Sequence, residues 1–363
     1  MGVLTALAIL AGLIVVHEAG HFFAATWQGI RVSSFSIGFG PVLIERQRRG
    51  VQFALRAFPL GGFVAFPGDD DDGSAIASDD PDLLRNRPLT QRALVIAAGV
   101  IANLLLAYAV LLGQGLVLGM PTGFSATPGV LVVAVQPGQA AASAGLLAGD
   151  RIVSLSGVPI AGGQEAVAEM VEQIKGAPGQ ALQLEVERGA RRMSLRLTPA
   201  DLRGSGRIGA QLQPNGTESF RPPTSPLELV GQANREFSQL LGRTVDGFVT
   251  LATHFGETAG QVSGPVKIVE MGASLAKQGG SSLFVFTALI SINLAVLNAL
   301  PLPLLDGGQF ALLLLEGVRG KPISDRLQNA FLQSGFVLLV SLSVVLIVKD
   351  TSQLPLVQQL LNR

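Results

Sequence analysis

Four long apolar stretches dominate the pattern of hydrophobic and polar residues along the chain. They run from about Gly2 to Trp27, from Ala93 to about Gly119, from about Ser281 to Leu300 and from about Leu327 to Val348. A helix needs about 20 mainly apolar residues to cross the hydrocarbon core of a bilayer. Each stretch meets this length, so the pattern predicts a multi-pass α-helical membrane protein with about four transmembrane helices.

The first stretch has a second interpretation, because a cleaved signal peptide is also N-terminal and apolar. However, it has no basic leader and no convincing cleavage site, and it carries His17, Glu18 and His21. The hydrophobic region of a signal peptide would not be expected to carry these three polar residues. We therefore expect the stretch to remain in the protein as a transmembrane helix.

Alternating apolar and polar positions, separated by turn residues, fill much of the region between the second and third stretches. They predict strands at Val130–Val135, Leu182–Glu187 and Met193–Leu197 and a helix near Glu165–Ile174. The run AGLLAGDRIVSLSGVPI at 144–160 resembles PDZ domains, in which a peptide adds as an extra strand to an exposed sheet edge. A generic β-rich insert is the alternative.

Shifts in composition divide the chain into four segments. We predict the first two membrane helices and a membrane-associated β region at 1–120, a PDZ-like domain at 121–222, an amphipathic segment at 223–280 and the last two membrane helices at 281–363. The apolar residues of the amphipathic segment include Leu227, Val230, Phe237, Leu240 and Leu241. They predict that it lies along the outer membrane surface or forms part of a gate, and the sequence does not choose between the two.

Charge and cysteine content exclude several classes of function. The 26 basic and 26 acidic residues give no net charge, so no nucleic-acid partner is implied. The absence of cysteine excludes disulfides, thiolate metal sites and cysteine nucleophiles. Arginines cluster between the first two apolar stretches, and Arg319, Lys321 and Arg326 lie between the last two. The positive-inside rule therefore predicts that both loops face the cytoplasm, with both termini and the 121–222 region outside.

The first apolar stretch contains a metal-binding pattern. His17 and His21 are four residues apart, so a helix projects both imidazoles from one face, and Glu18 follows the first of them. This is the H-E-x-x-H arrangement of two metal ligands and a general base. An interhelical hydrogen-bond cluster or an ion path is the alternative. Titratable residues are costly inside a membrane, so three of them together predict a polar interior site.

A catalytic zinc site usually needs a third protein ligand. His254, the one remaining histidine, lies in a polar stretch and is expected at a surface or interface. Asp306 is the better candidate, because it follows Pro301 and Pro303, which break the third apolar helix, and precedes two glycines. An acidic residue on such an interrupted segment is expected to line a cavity or ligate an ion. A helix-capping aspartate is the alternative.

The pairing of HEAGH at 17–21 with NALPLPLLDGG at 298–308 resembles the site-2 protease family of intramembrane zinc metalloproteases, and the bacterial members with a PDZ domain are most similar. The stretches FSIGFGP at 35–41 and FPLGGFVAFPG at 58–68 resemble the membrane-associated β-hairpin region of that family. NRPLTQRALVIAAGVIANLLLA at 86–107 resembles its second core helix, and SGPVKIVEMG at 263–272 a stretch before the next one.

The resemblance implies a role for each matching residue. His17, His21 and Asp306 would bind zinc (Zn²⁺), Glu18 would be the base, and Asn298 would hold substrate or the developing oxyanion. Asn103 matches an asparagine of the second core helix, with an interhelical hydrogen bond as an equal alternative. The chain departs from the family in having Gly99-Val100 where Gly-Pro is frequent. It also has room for only one PDZ-like unit.

The expected function is cleavage of the transmembrane segments of membrane-protein substrates in regulated intramembrane proteolysis. By resemblance, the substrates include anti-sigma factors or remnant signal peptides. The expected location is the plasma membrane, with lipid as a partner, the active site toward the cytoplasm and the PDZ-like domain outside. A PDZ-bearing membrane scaffold and a metal-ion transporter are the competing classes.

Overall fold

A computed structural model describes residues 2–67, 80–136, 138–202, 204–258, 264–278 and 280–352, and the chain forms two compact units. One unit comprises Met1–Leu118 and Pro223–Ile347, and the other comprises Gly119–Pro222 and Val348–Arg363. Gly68 and Ser263, which belong to two stretches predicted above, lie outside the described residues.

The helices and strands are numbered in chain order. They are α1 (Gly2–Trp27), β1 (Ser34–Arg48), β2 (Val51–Ala65), a 3₁₀ turn (Leu84–Asn86), α2 (Leu89–Val117), β3 (Met120–Val135), α3 (Ala140–Ser143), β4 (Arg151–Leu155), β5 (Val158–Pro159), α4 (Gln164–Lys175), β6 (Leu182–Arg188), β7 (Arg191–Leu197), β8 (Ala200–Leu202), β9 (Ser205–Arg207), β10 (Ala210–Arg221), α5 (Pro226–Thr253), α6 (Phe255–Thr258), α7 (Pro265–Gln278), α8 (Gly280–Ala299), α9 (Asp306–Arg319) and α10 (Asp325–Ser352).

Four helices of the described part of the chain are long and apolar enough to cross a membrane. The qualifying segments are Gly2–Trp27, Leu89–Val117, Ser281–Ala299 and Arg326–Lys349. They coincide with the four apolar stretches, so the prediction of four candidate membrane helices is confirmed. These helices are more apolar than the surface helices of soluble proteins. Only a small share of each is buried inside the protein, which fits contact of the rest with lipid.

Helix α2 is the centre of the unit that comprises Met1–Leu118 and Pro223–Ile347, which is called the membrane unit below. Helices α1, α5, α8 and α9 all pack against α2. Small residues let the backbones of α1 and α2 approach closely: a Cβ on Gly20 would lie 2.8 Å from the Cβ of Ala102. A buried hydroxyl links α8 to α2, because Ser291 Oγ donates a hydrogen bond to the backbone carbonyl of Asn103 over 2.7 Å. Close packing of this kind fixes the height of one helix relative to the next.

Strands β1 and β2 form a hairpin with an unusual pairing. The short segment Ser34–Ile37 pairs on one side with Gln52–Leu55 and on the other with Gly62–Ala65. Among the described strands, none pairs with the outer side of Gly62–Ala65, so this segment is a sheet edge. The far half of β1 exposes Val42, Leu43 and Ile44. A hairpin is therefore present where the family resemblance indicated one, while its association with the membrane stays a prediction.

The amphipathic segment forms α5, α6 and α7. Helix α5 turns Ala233, Phe237 and its neighbours toward an apolar cluster of α2 and α8, and Tyr108 Oη donates a hydrogen bond to Asn234 Oδ1 over 2.8 Å. Helix α7 packs on the N-terminal half of α1, where a Cβ on Gly272 would lie 2.9 Å from Ala6 Cβ. The segment thus packs on membrane-type helices along part of its length.

The second unit is built on a sheet with strand order β10-β3-β4-β6-β7, with β5 paired to β4. Its core includes Ile152, Leu184 and Met170, and thirteen of the described apolar residues are buried in it. Asp150, which directly precedes β4 in the PDZ-like run, has a structural role. It is fully buried, and Arg188 donates hydrogen bonds to both of its carboxylate oxygens over 2.7 and 2.8 Å. Hydrogen bonding to Asp150 raises the pKa of the Arg188 guanidinium, so Arg188 stays charged. This unit is β-rich, and its PDZ character stays a prediction.

Candidate metal centre

Helix α1 presents His17 and His21 side by side because one helical turn separates them. Their rings meet edge to face with centroids 4.9 Å apart, and their Nε2 atoms lie 3.3 Å apart. Both side chains are largely buried, with 12% of each exposed. The two Nε2 atoms therefore converge on one point inside the protein.

Asp306 reaches the same point from the other end of the chain. Helix α8 ends at Ala299 and α9 begins at Asp306, so the prolines end the helix as predicted. The turn between them is tight: Leu304 has a left-handed φ of 70°, and Cβ atoms on Gly307 and Gly308 would collide with backbone carbonyls of the same turn. This turn places the carboxylate of Asp306 at the start of α9, facing the two imidazoles.

The three candidate ligand atoms form a nearly equilateral triangle. Asp306 Oδ2 lies 3.3 Å from His17 Nε2 and 3.4 Å from His21 Nε2, and the third side is the 3.3 Å between the imidazoles. A tetrahedral zinc ion with bonds of about 2.0–2.1 Å holds its ligand atoms roughly 3.3–3.4 Å apart. Asp306 Oδ2 is also buried, with no hydrogen-bond partner in the described part of the chain. The donor set and its spacing therefore fit a zinc ion, which would satisfy this oxygen.

One face of α2 contacts the Nδ1 atoms of both imidazoles. His21 Nδ1 lies 2.8 Å from the carbonyl oxygen of Val95, and His17 Nδ1 lies 3.2 Å from Asn103 Nδ2. Gly99 lies between these contacts, where a Cβ would be 2.7 Å from His17 Cε1 and would overlap His21 Nε2. The absence of a side chain at this position makes room for the rings.

Glu18 lies on α1 between the two histidines and faces the hairpin edge. Its carboxyl is close enough to interact with the backbone N–H of Val64 and with both imidazoles. A Cβ on Gly62 would lie 2.9 Å from Glu18 Cγ, so the edge segment Gly62–Ala65 passes directly beside this side chain. The predicted base therefore sits between the candidate metal position and a free sheet edge.

Asn298, a predicted site residue, and His254, a histidine expected at a surface or interface, have different placements. Asn298 lies near the end of α8, with Nδ2 3.4 Å from His17 Nε2, so its carboxamide borders the candidate metal position. His254 lies exposed at the end of α5, with Nδ1 2.8 Å from Thr253 Oγ1. The structure thus brings His17, His21, Asp306, Glu18 and Asn298 together, and His254 is not part of the cluster.

Two further members of the site were not singled out from the sequence. The carbonyl of Val95 was missed because a backbone group leaves no mark in the residue pattern. Gly99 was noted only for the residue that follows it. The usable signal was its spacing, since Val95, Gly99 and Asn103 repeat every four residues and so share one helix face.

The chain is similar to known metalloproteases along almost its whole length. The profile of peptidase family M50 matches residues 5–342. A protein of the cyanobacterium Nostoc sp., provisionally named as a zinc metalloprotease, is 50% identical over 357 residues, which is 98% of this chain and 97% of that protein. The membrane metalloprotease ARASP, a chloroplast protein of Arabidopsis thaliana, is 44% identical over 99% of this chain and 80% of its own length. The chain therefore belongs to peptidase family M50, the site-2 protease family, and is a membrane zinc metalloprotease.

Proposed function

We propose that the chain cleaves peptide bonds within the transmembrane segments of other membrane proteins, with His17, His21 and Asp306 as the zinc ligands and Glu18 as the general base. The observation that carries this proposal is the triangle of ligand atoms, whose sides of 3.3, 3.3 and 3.4 Å suit one tetrahedral zinc ion. When bound, zinc supplies Lewis-acid activation of a water molecule and of the scissile carbonyl.

The neighbouring residues supply the proton transfers and the charge stabilisation. Glu18 accepts the proton of the attacking water and returns it to the nitrogen of the leaving amine. Asn298 lies close enough to the candidate metal position to donate an N–H to the oxygen on which negative charge develops. Both side chains border the candidate metal position.

The hairpin edge explains how a transmembrane substrate becomes cleavable. Peptide bonds within a helix are hydrogen-bonded and shielded, so the substrate must be locally extended before water can attack it. The edge Gly62–Ala65, on whose outer side no described strand pairs, passes beside Glu18 and can pair with an extended substrate strand. Pairing there holds the scissile bond within reach of the base.

We further propose an orientation and a role for the second unit. The basic loops place the active site toward the cytoplasmic side of a plasma membrane and the unit at 119–222 outside. There it acts as a size filter in regulated intramembrane proteolysis and admits substrates already shortened by another protease, such as anti-sigma factors or remnant signal peptides. The competing role is recognition of the new C-terminus. Deleting 122–221 separates the two, because a filter predicts cleavage of uncut substrate, and obligate recognition predicts no cleavage.

The central test compares the purified wild-type protein with its Glu18→Gln variant in detergent. We expect both to hold one zinc ion per chain. The wild type should cut a model transmembrane peptide, and the variant should do so about 10²–10⁴-fold more slowly. Chelation should abolish cleavage and added zinc should restore it, while His254→Gln should match the wild type in zinc content and rate. Equal cleavage by wild type and Glu18→Gln, or a wild type without zinc, would contradict the proposal.

A further inference from the structure

The hydrogen bond of His21 fixes which of its ring nitrogens is free for a metal. A backbone carbonyl can only accept a hydrogen bond, so the 2.8 Å contact with Val95 requires a proton on His21 Nδ1. In a neutral imidazole the other nitrogen, Nε2, then carries the lone pair. That lone pair points at the candidate metal position, 3.4 Å from Asp306 Oδ2.

His17 faces the same requirement and has a different partner. For His17 Nε2 to offer a lone pair, Nδ1 must carry the proton and needs an acceptor. The group next to it is the carboxamide of Asn103, which is fully buried and lies 3.2 Å away. Asn103 Oδ1 is buried with no hydrogen-bond partner among the described residues. The oxygen and nitrogen ends of a carboxamide have nearly the same shape. A rotation of the Asn103 carboxamide by 180° about its Cβ–Cγ bond therefore places Oδ1 beside His17 Nδ1.

We propose that Asn103 is a positioning residue of the metal centre, with Oδ1 accepting the Nδ1–H of His17 as the Val95 carbonyl accepts that of His21. Asn103 and Val95 lie eight residues apart on one face of α2, with Gly99 between them. A single helix thus sets the tautomer and the ring plane of both imidazoles. The inference rests on the proposed zinc site and adds to it a residue that does not touch the metal.

The alternative role of Asn103 is purely structural, as a link between helices. The structure separates the two roles, because the link to α8 uses the backbone of Asn103 and not its side chain. Ser291 Oγ donates to the Asn103 carbonyl oxygen over 2.7 Å. Asn103→Ala keeps that bond and removes the His17 contact, and Ser291→Ala does the reverse. Ser291→Ala is therefore a matched control at the same level of the membrane unit.

The first experiment measures zinc affinity by chelator competition on the full-length protein in detergent. Loss of a partner to a metal-ligating histidine typically weakens metal affinity about 10–100-fold, and we expect this for Asn103→Ala. Asn103→Asp retains an acceptor for Nδ1–H, so its affinity should exceed that of Asn103→Ala by about tenfold. Ser291→Ala should bind zinc as the wild type does. An Asn103→Ala variant with wild-type affinity, or an equal loss in Ser291→Ala, would overturn the inference.

A second measurement reads the tautomer directly and does not depend on Asn103→Asp folding. The chain has only three histidines, so a His254→Gln background leaves only the imidazoles of His17 and His21. With ¹⁵N-labelled histidine, the zinc-loaded protein should show Nδ1 protonated in both rings. Asn103→Ala should alter the Nδ1 signal of one ring and leave the other unchanged.

The outcomes also separate this inference from the proposed function. A wild type that binds no zinc contradicts the proposed metal site. A wild type that binds zinc, with Asn103→Ala unchanged in affinity and in the His17 signal, contradicts the role of Asn103 alone.

Discussion

Gly99 has no side chain, and its position sets a strict steric condition at the candidate metal centre. Any Cβ there would overlap His21 Nε2 and would lie 2.7 Å from His17 Cε1. We expect Gly99→Ala to push the rings away from the ligand geometry and to weaken zinc binding about tenfold or more. Chelator competition measures the change.

Gly113→Ala is the control for Gly99→Ala, because it lies on the same helix and its added Cβ would come no closer than 3.8 Å to Phe284. It should bind zinc as the wild type does. Equal affinities in Gly99→Ala and the wild type would show that the rings tolerate a methyl group between them.

Asp306 provides a second prediction at the scale of single residues. Replacement by alanine removes the one carboxylate of the triangle and leaves two nitrogen ligands, where a catalytic zinc usually has three protein ligands. We expect Asp306→Ala to lose zinc during dialysis under conditions in which His254→Ala retains one ion per chain. Metal analysis of the two dialysed proteins is the measurement, and full zinc retention by Asp306→Ala would exclude it as a ligand.

Part of this site could be predicted from residues alone. The four-residue spacing of His17 and His21 puts them on one helix face whatever the rest of the chain does. The proximity of Asp306 followed from its chemistry on a broken apolar helix. The contacts of Val95 and Gly99 could not be predicted, because they depend on which face of α2 packs on α1 and at what height.

At the scale of elements, an ion pair links α9, the helix that begins with Asp306, to α2 at the centre of the membrane unit. Arg92 on α2 and Glu316 on α9 lie 2.8 Å apart, with 22% and 19% of their side chains exposed. We expect Arg92→Ala to loosen α9 and to weaken zinc affinity by about 1 kcal/mol, or roughly fivefold. The reversed pair, Arg92→Glu with Glu316→Arg, should recover much of this loss. No recovery would mean that the effect of Arg92→Ala is not due to the pair.

The hairpin edge gives a prediction in which zinc binding and cleavage separate. A Cβ on Gly62 would press on Glu18 Cγ at 2.9 Å and would narrow the space beside the edge. We expect Gly62→Ala to keep its zinc and to cleave a model transmembrane peptide about tenfold more slowly, because the base is displaced by a fraction of an ångström. Gly123→Ala, another strand glycine but with open space around it, should cleave normally.

Elements differed in how far they could be predicted. The membrane helices followed from their length and apolar composition, and the end of α8 followed from Pro301 and Pro303. The double pairing of Ser34–Ile37 could not be predicted, since either partner segment alone satisfies an alternating pattern. The amphipathic residues of α5 indicated a surface segment or a gate, and they could not indicate the packing of this helix on α2 and α8.

At the scale of the whole molecule, the second unit has a core of its own. Among the described residues of 130–208, thirteen apolar residues are buried in this core, and Leu184 is one that is fully buried. We expect the fragment 119–222 to fold alone with one cooperative denaturant transition. Leu184→Ala should lower its free energy of unfolding by about 2–5 kcal/mol. Leu202→Ala, at an exposed position, should change it by less than about 0.5 kcal/mol. A fragment without a cooperative transition would contradict the prediction.

The proposed ligands of the candidate metal centre lie at opposite ends of the chain: His17 and His21 in the first tenth and Asp306 in the last fifth. This has a consequence for biosynthesis. While the ribosome is still making the middle of the chain, the inserted part offers only two of the three protein ligands that a catalytic zinc usually needs. With this ligand set, we expect the nascent protease to be inert beside its potential substrates until α9 has emerged. A product that ends early through premature termination should stay inert as well, so that incomplete copies release no uncontrolled proteolysis in the membrane.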